Sequence, residues 1–116
     1  MRLLGPSLPF RIAAIRAWKP STPGSPEDWR TTLGQIVVEV VFDSGVIGLG
    51  VGGGGLASIH VIHNVIRTEL TDKEFTTPFD LHEHIREFTS FYGLSGIVPM
   101  AISGIDLAVW DAYAKS

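Results

Sequence analysis

The residues with the most apparent chemistry are the glycines of GVIGLGVGGGGL, Gly45 to Leu56, where G-x-G-x-x-G fits twice. One match falls at Gly48, Gly50 and Gly53, the other at Gly50, Gly52 and Gly55. That spacing cradles a dinucleotide only when it joins a parallel strand to a helix and an acidic residue ends a second strand about 20 residues on. Here the glycine-bearing strand reads as the return arm of an antiparallel hairpin, and the acids at the right distance, Asp72 and Glu74, close a helix. No G-K-[ST] follows, which excludes a P-loop. The remaining reading is a flexible strand-to-helix connection over Gly52, Gly53, Gly54 and Gly55, whose amides at a helix start can lie over an anion.

His60 and His63 stand three apart on a predicted helix, and His82 and His84 flank Glu83, so metal ligation has to be weighed. No third ligand has suitable spacing, and H-E-H is not H-E-x-x-H. Surface or partly buried histidines are the better reading, and no metal site is expected in this chain. Asp106 and Asp111, five apart on the final predicted helix, fall on different faces and cannot share one substrate atom as acid and base. Each should instead find a backbone or basic partner. None of the serines sits in G-x-S-x-G, so no self-contained hydrolase is visible and no catalytic residue is assigned.

These residues must be positioned by a small chain. Its 116 residues suit one domain, residues 1–116, and fall far short of the roughly 250 of a (β/α)8 barrel. The net charge of -3 and the nine scattered Lys and Arg residues offer nothing to a polyanion, so nucleic acid is not an expected partner. Absence of cysteine excludes disulfides, thiolate zinc sites and a cysteine nucleophile, and suits a cytoplasmic protein. MRLLGPSLPF is interrupted by Pro6 and Pro9 before a signal-peptide core could form, and no membrane-spanning segment is expected. A hydrophobic content of 45% with a mean hydropathy of +0.25 is high for so small a chain, so part of the apolar surface should seek a partner.

FRIAAIRAW alternates Phe10, Ile12 and Ala14 against Arg11 and Ala13, then Ile15 and Trp18 against Arg16, which predicts a first strand. The Pro- and Gly-rich stretch from Lys19 to Thr32 disfavours helix and strand and reads as a long mobile loop. QIVVEVVF, the Asp43–Gly45 turn and VIGLGV predict a hairpin that completes a three-stranded antiparallel meander. Leu56, Ile59, Ile62, Ile66 and Leu70 mark an amphipathic helix; Leu81, Ile85, Phe88 and Tyr92 mark a second, with Pro78 near its start. The last segment places Val98, Ile102, Ile105, Val109 and Ala112 on one face and Leu107, Trp110 and Tyr113 off it, so it is apolar nearly all round. The fold class is α+β, a meander followed by about three helices.

VVEVVFDSGVIGLGVGGGG and AISGIDLAVWDAYAKS resemble the second and third strands and the last helix of the enolase-superfamily N-terminal capping domain, in the mandelate racemase and muconate lactonizing branch. Ala101, Ser103, Asp106, Ala108, Trp110, Asp111 and Lys115 fall where that helix's motif has them. The resemblance runs from about Ile12 to Ser116. FYGLSG and the glycine run look most like the rhamnonate dehydratase-like members, although Leu94 and Ser95 stand where many of those carry basic residues.

The resemblance implies a lid that closes over a (β/α) barrel, absent here, which supplies the acidic Mg2+ ligands and the bases that take a proton α to a carboxylate. It implies two pocket-shaping loops, Lys19 to Thr32 and Val51 to Leu56. Within them Trp29 can offer an apolar wall, Arg30 can pair with a substrate carboxylate, and the amides of Gly52 to Gly55 can approach the anion. Equally, Trp29 can merely anchor its loop and Arg30 be solvated. The expected function is a specificity lid of a dehydratase, racemase or cycloisomerase, inactive alone, whose partners are the barrel, a small carboxylate such as an acid sugar, and further copies in a homo-oligomer. On that reading the end at Ser116 is a truncation. The other open reading is a stand-alone module that dimerises or docks through its apolar last helix.

Overall fold

The computed structural model describes residues 9–20, 34–90 and 96–116, and in it the alternating segments form one sheet. Strands β1 (Phe10–Trp18), β2 (Ile36–Phe42) and β3 (Ile47–Gly52) are antiparallel neighbours, as the sequence predicts. A two-residue β4 (Glu74–Phe75) pairs with Phe10 and Arg11 and makes the order β3-β2-β1-β4. Two residues carry no periodic signal, which is why β4 was not foreseen. Between β2 and β3 the Gly45 N–H donates to Phe42 O (2.9 Å) and Phe42 N–H donates to Val46 O (2.9 Å). Gly45 holds φ at 94°, a value that favours glycine in a three-residue hairpin loop.

The register of β1 against β2 slips between Ile12 and Ala14. This bulge reverses the alternation: Phe10 and Ile12 are buried before it, Ile15 and Ala17 after it, while Ala14, Arg16 and Trp18 are exposed. The sequence expectation had Ala14 inward with Ile12 and Trp18 inward with Ile15. Both point the other way, because one extra residue shifts the phase of every side chain that follows.

Helix α1 (Gly55–Val61) runs directly into a π-helical turn (Ile62–Ile66) and then α2 (Arg67–Leu70). Ile62, Ile66 and Leu70 of the predicted stripe are fully buried, with Ile59 packed beside them, whereas Leu56 at its start is exposed because it lies in the first turn of α1 beyond the sheet's cover. Helix α3 (Pro78–Thr89) begins where Thr77 Oγ1 accepts the Asp80 N–H (3.3 Å), with Pro78 in the first helical position. It buries Leu81 and Ile85; Tyr92 of its predicted stripe lies outside the described residues.

Helix α4 (Ile97–Lys115) lies along β3 and β2 and also packs against α1 and α3. With 19 residues and a mean hydropathy of 1.3 over an 18-residue window it is long and apolar enough to cross a membrane, which the sequence reading did not anticipate. The packing accounts for part of that composition: Ala101, Ile102, Gly104, Ile105, Ala108, Val109 and Ala112 are buried against the rest of the fold, while Met100 and Leu107 are exposed.

The glycines of β3 have their explanation in this helix. Gly48, Gly50 and Gly52 share the inner face of β3, where Gly104, Ala108 and Ala112 recur every four residues on α4. A Cβ on Gly48 would overlap Ala108 O and stand 2.6 Å from Ala112 N; one on Gly50 would overlap Gly104 O and stand 2.5 Å from Ala108 N. At Gly52 it would lie 3.1 Å from Gly104 Cα. The helix therefore rests on bare strand backbone, and the first half of the G-x-G-x pattern is a packing surface rather than part of a flexible flap.

Candidate functional site

The loop singled out by sequence begins where β3 ends. Gly54 holds φ at 91° and its carbonyl accepts the Ser58 N–H (3.2 Å), opening α1 without a side-chain cap. A Cβ there would fall 2.7 Å from Ser58 Cβ, so the position excludes other residues on two grounds. Gly53 is roomier, its nearest neighbour being Met100 Sδ at 3.8 Å. The Gly55 N–H donates to Gly34 O (2.8 Å), which ties this loop to the residues entering β2. Of the four amides expected near an anion, that of Gly55 is thus already engaged. Exposed Val51, Leu56 and Met100 border the loop with apolar surface. Trp29 and Arg30 lie outside the described residues, as does most of the Lys19 to Thr32 loop.

The histidines are dispersed rather than gathered. His60 Nδ1 on α1 meets Asn64 Nδ2 of the π-helical turn (3.2 Å). His63, in the π-helical turn, accepts the Ala17 N–H through Nε2 (3.0 Å) and so satisfies a donor of β1. Burial first, and the charge of Arg67 second, lower its pKa below that of an ordinary histidine. His82 Nδ1 lies 3.5 Å from Asp106 Oδ1, whereas His84 Nε2 lies 3.3 Å from Glu69 Oε1. Among the described residues no three His, Asp or Glu side chains converge on a metal position.

The two aspartates of α4 have separate partners, as their five-residue spacing predicts. Asp111 Oδ2 accepts the Leu49 N–H (2.9 Å) and pairs with Lys115 Nζ (2.7 Å), which in turn donates to Ile47 O (3.1 Å). The Lys115 bond, followed by the Leu49 amide, holds the Asp111 carboxyl below its usual pKa. Asp106 instead lines a cleft of about 350 Å3 between α3 and α4, with His82, Arg86, Ser90 and Ser103. Sequence reasoning missed this cleft, because its lining is divided between two helices and has no shared spacing.

No family model matches the chain. A protein of Caldivirga maquilingensis described as "Putative L-rhamnonate dehydratase" is 35% identical over 83 residues, covering 72% of this chain and 21% of that protein. The solved mandelate racemase/muconate lactonizing enzyme from Bordetella bronchiseptica superposes with a TM-score of 0.78 at 22% identity, over 93% of this chain and 31% of its own. Rhamnonate dehydratase from Gibberella zeae complexed with Mg gives 0.73 at 25% identity, over 91% and 34%. The class defined by the fold is therefore the α+β domain that this chain shares with the solved mandelate racemase/muconate lactonizing enzyme and rhamnonate dehydratase structures. In sequence the chain is similar to proteins named as rhamnonate dehydratases. The chain spans about a third or less of the length of these relatives.

Proposed function

We propose that this chain is the substrate-capping domain of a Mg2+-dependent enzyme that removes a proton α to the carboxylate of an acid sugar. The observation that carries the reading is the 35% identity to the rhamnonate dehydratase-named protein over 72% of the chain. In this reading residues 1–116 form one domain, and a (β/α) barrel supplies the Mg2+ ligands and the bases. A dehydratase outcome follows if the carbanion-like intermediate expels the neighbouring hydroxyl; a racemase or cycloisomerase would use the same first step. The compartment proposed is the cytoplasm.

The chain's own contribution is recognition and exclusion of water. Gly53 and Gly54 offer backbone amides at the mouth, Arg30 pairs with the carboxylate, and Trp29 supplies an apolar wall. The barrel covers the outer side of α4, where Leu107 is 53% exposed. That same surface favours the second reading, a stand-alone module that docks or dimerises through α4.

A chimera tests the first reading: this chain replaces the matching segment of the Caldivirga protein, and Mg2+-dependent dehydration is assayed over a panel of acid sugars. Retained turnover, with Arg30→Ala raising KM more than it lowers kcat, is the expected result. A folded chimera with no activity on any acid sugar sinks the proposal, as does turnover by the isolated chain.

A further inference from the structure

We propose that the cleft between α3 and α4 is a second ligand site, separate from the glycine loop, and that it takes a small hydroxy-carboxylate whose carboxylate pairs with Arg86 and whose far hydroxyl donates to Asp106. Its volume of about 350 Å3 falls at the small end of the range that holds ligands.

The two helices run antiparallel along this cleft. Phe79 meets Trp110 edge to face at 5.0 Å, and about one turn further on along α3 His82 stands 3.5 Å from Asp106, about one turn back along α4. The aromatic pair closes that end, and Ile102 with Pro99 forms an apolar wall beyond it. Leu107 and Met100 lie on the other flank of α4: a Cβ on Gly50 would come 2.9 Å from Leu107 Cβ, and one on Gly53 would come 3.8 Å from Met100 Sδ. The body of α4 therefore separates the cleft from the glycine loop and from the exposed Leu107.

The two aspartates of α4 differ in what surrounds them. Asp111 has a backbone N–H at 2.9 Å and an ammonium at 2.7 Å. Asp106, whose side chain is 30% exposed, has among the described residues one partner, His82 at 3.5 Å. That is well beyond the roughly 2.7–2.9 Å of a charge-assisted hydrogen bond, so a half-buried carboxylate keeps acceptor sites for a further donor. Arg86 is in a similar condition. Its ion pair is with Glu83 of its own helix at 3.8 Å, and its side chain is 58% exposed.

The spacing of these groups selects the ligand. Arg86 follows His82 by four residues, about 6 Å along the helix, and Asp106 is level with His82. A bound molecule must therefore present an anion to Arg86 and a donor to Asp106 about 6 Å away. An α-amino acid or a simple α-hydroxy acid is too short, because its donor sits on the carbon next to the carboxylate. A chain with a hydroxyl several carbons further on spans the gap, with its carbons on Ile102 and Pro99. Ser103 and Ser90 also line the cleft; the Ser90 hydroxyl donates to Glu87 O (3.0 Å) and so keeps its oxygen as an acceptor. Intermediate hydroxyls have partners there. A dianion or a dication would meet a like charge at one end, whereas a monoanion with neutral donors meets none.

Titration of the isotope-labelled full chain with D-gluconate, followed by amide chemical shifts, tests this. The expected result is saturable shifts at His82, Arg86, Ser103 and Asp106 with a Kd of about 1 mM, ordinary for a ligand of this size in an open cleft. Hexanoate, which lacks the hydroxyls, and sorbitol, which lacks the carboxylate, should bind about tenfold more weakly or worse. Arg86→Gln and Asp106→Asn should each raise the gluconate Kd about tenfold. Arg86 is exposed, so its variant reads the site even if Asp106→Asn fails to fold. Shifts confined to Gly53 and Gly54 and unaltered in Arg86→Gln overturn the proposal and support the mouth of the capping reading instead. Equal binding of gluconate, hexanoate and sorbitol overturns it, as does tighter binding of ω-aminohexanoate than of gluconate. Absence of saturable shifts up to about 50 mM overturns it too, and leaves the capping reading to its own chimera test.

Discussion

The backbone N–H of Leu49 donates to Asp111 Oδ2 at 2.9 Å, although 62 residues separate the two in sequence. Leu49 belongs to an edge strand, and Asp111 with Lys115 closes that edge from α4. Asp111→Ala is therefore expected to lower the melting temperature slightly and to increase strand-mediated aggregation, read by light scattering on heating. An unchanged aggregation onset would remove the edge-closing role from this residue.

Gly48→Ala and Gly50→Ala are expected to destabilise the fold by about 3 kcal/mol or more, since each new methyl meets α4 backbone that cannot rotate away. Gly53→Ala should cost less than about 1 kcal/mol, because its closest neighbour is the flexible end of Met100 at 3.8 Å. Urea unfolding of the three variants decides the matter. Equal losses at all three would contradict the packing explanation of the glycine pattern.

The His63 bond to Ala17 requires an unprotonated Nε2. Its pKa is lowered in the folded state, so the unfolded chain takes up the proton first as pH falls. This contribution to stability is complete above the ordinary histidine value of about 6.5, declines as pH drops below it, and levels off beneath the lowered folded pKa. Stability measured from pH 8 to 5, a range chosen to bracket roughly that value, should fall more steeply in the wild type than in His63→Gln. Parallel curves would mean that His63 does not carry the effect.

Thr77→Ala removes the side-chain acceptor of the Asp80 N–H at the start of α3. A loss of about 1 kcal/mol is expected in chemical denaturation, and Thr77→Ser should recover most of it. Failure of serine to rescue would assign the loss to packing rather than to the cap.

The pattern of the sequence was sufficient for the meander, the Gly45 turn and most of the helical stripes, Leu56 being exposed. These depend on neighbours within one or two turns, or on residues two apart in a strand. The bulge at the start of β1 was not legible, because a run such as Ile12-Ala13-Ala14-Ile15 suits either phase until β2 fixes the pairing. Gly52 to Gly55 was nominated from spacing alone, while the His82, Arg86 and Asp106 cleft was not, because α3 and α4 meet only in the folded chain.

What the sequence determined by itself was local: which segments alternate, which are amphipathic, and that Asp106 and Asp111 could not act as a pair. Only the tertiary structure decided why β3 is rich in glycine. Gly48 and Gly50 carry no side chain because Ala108 and Gly104, more than 50 residues later, bring a helix backbone down onto them. A close approach of two distant segments leaves no period in either one, so it becomes visible only when both are in place.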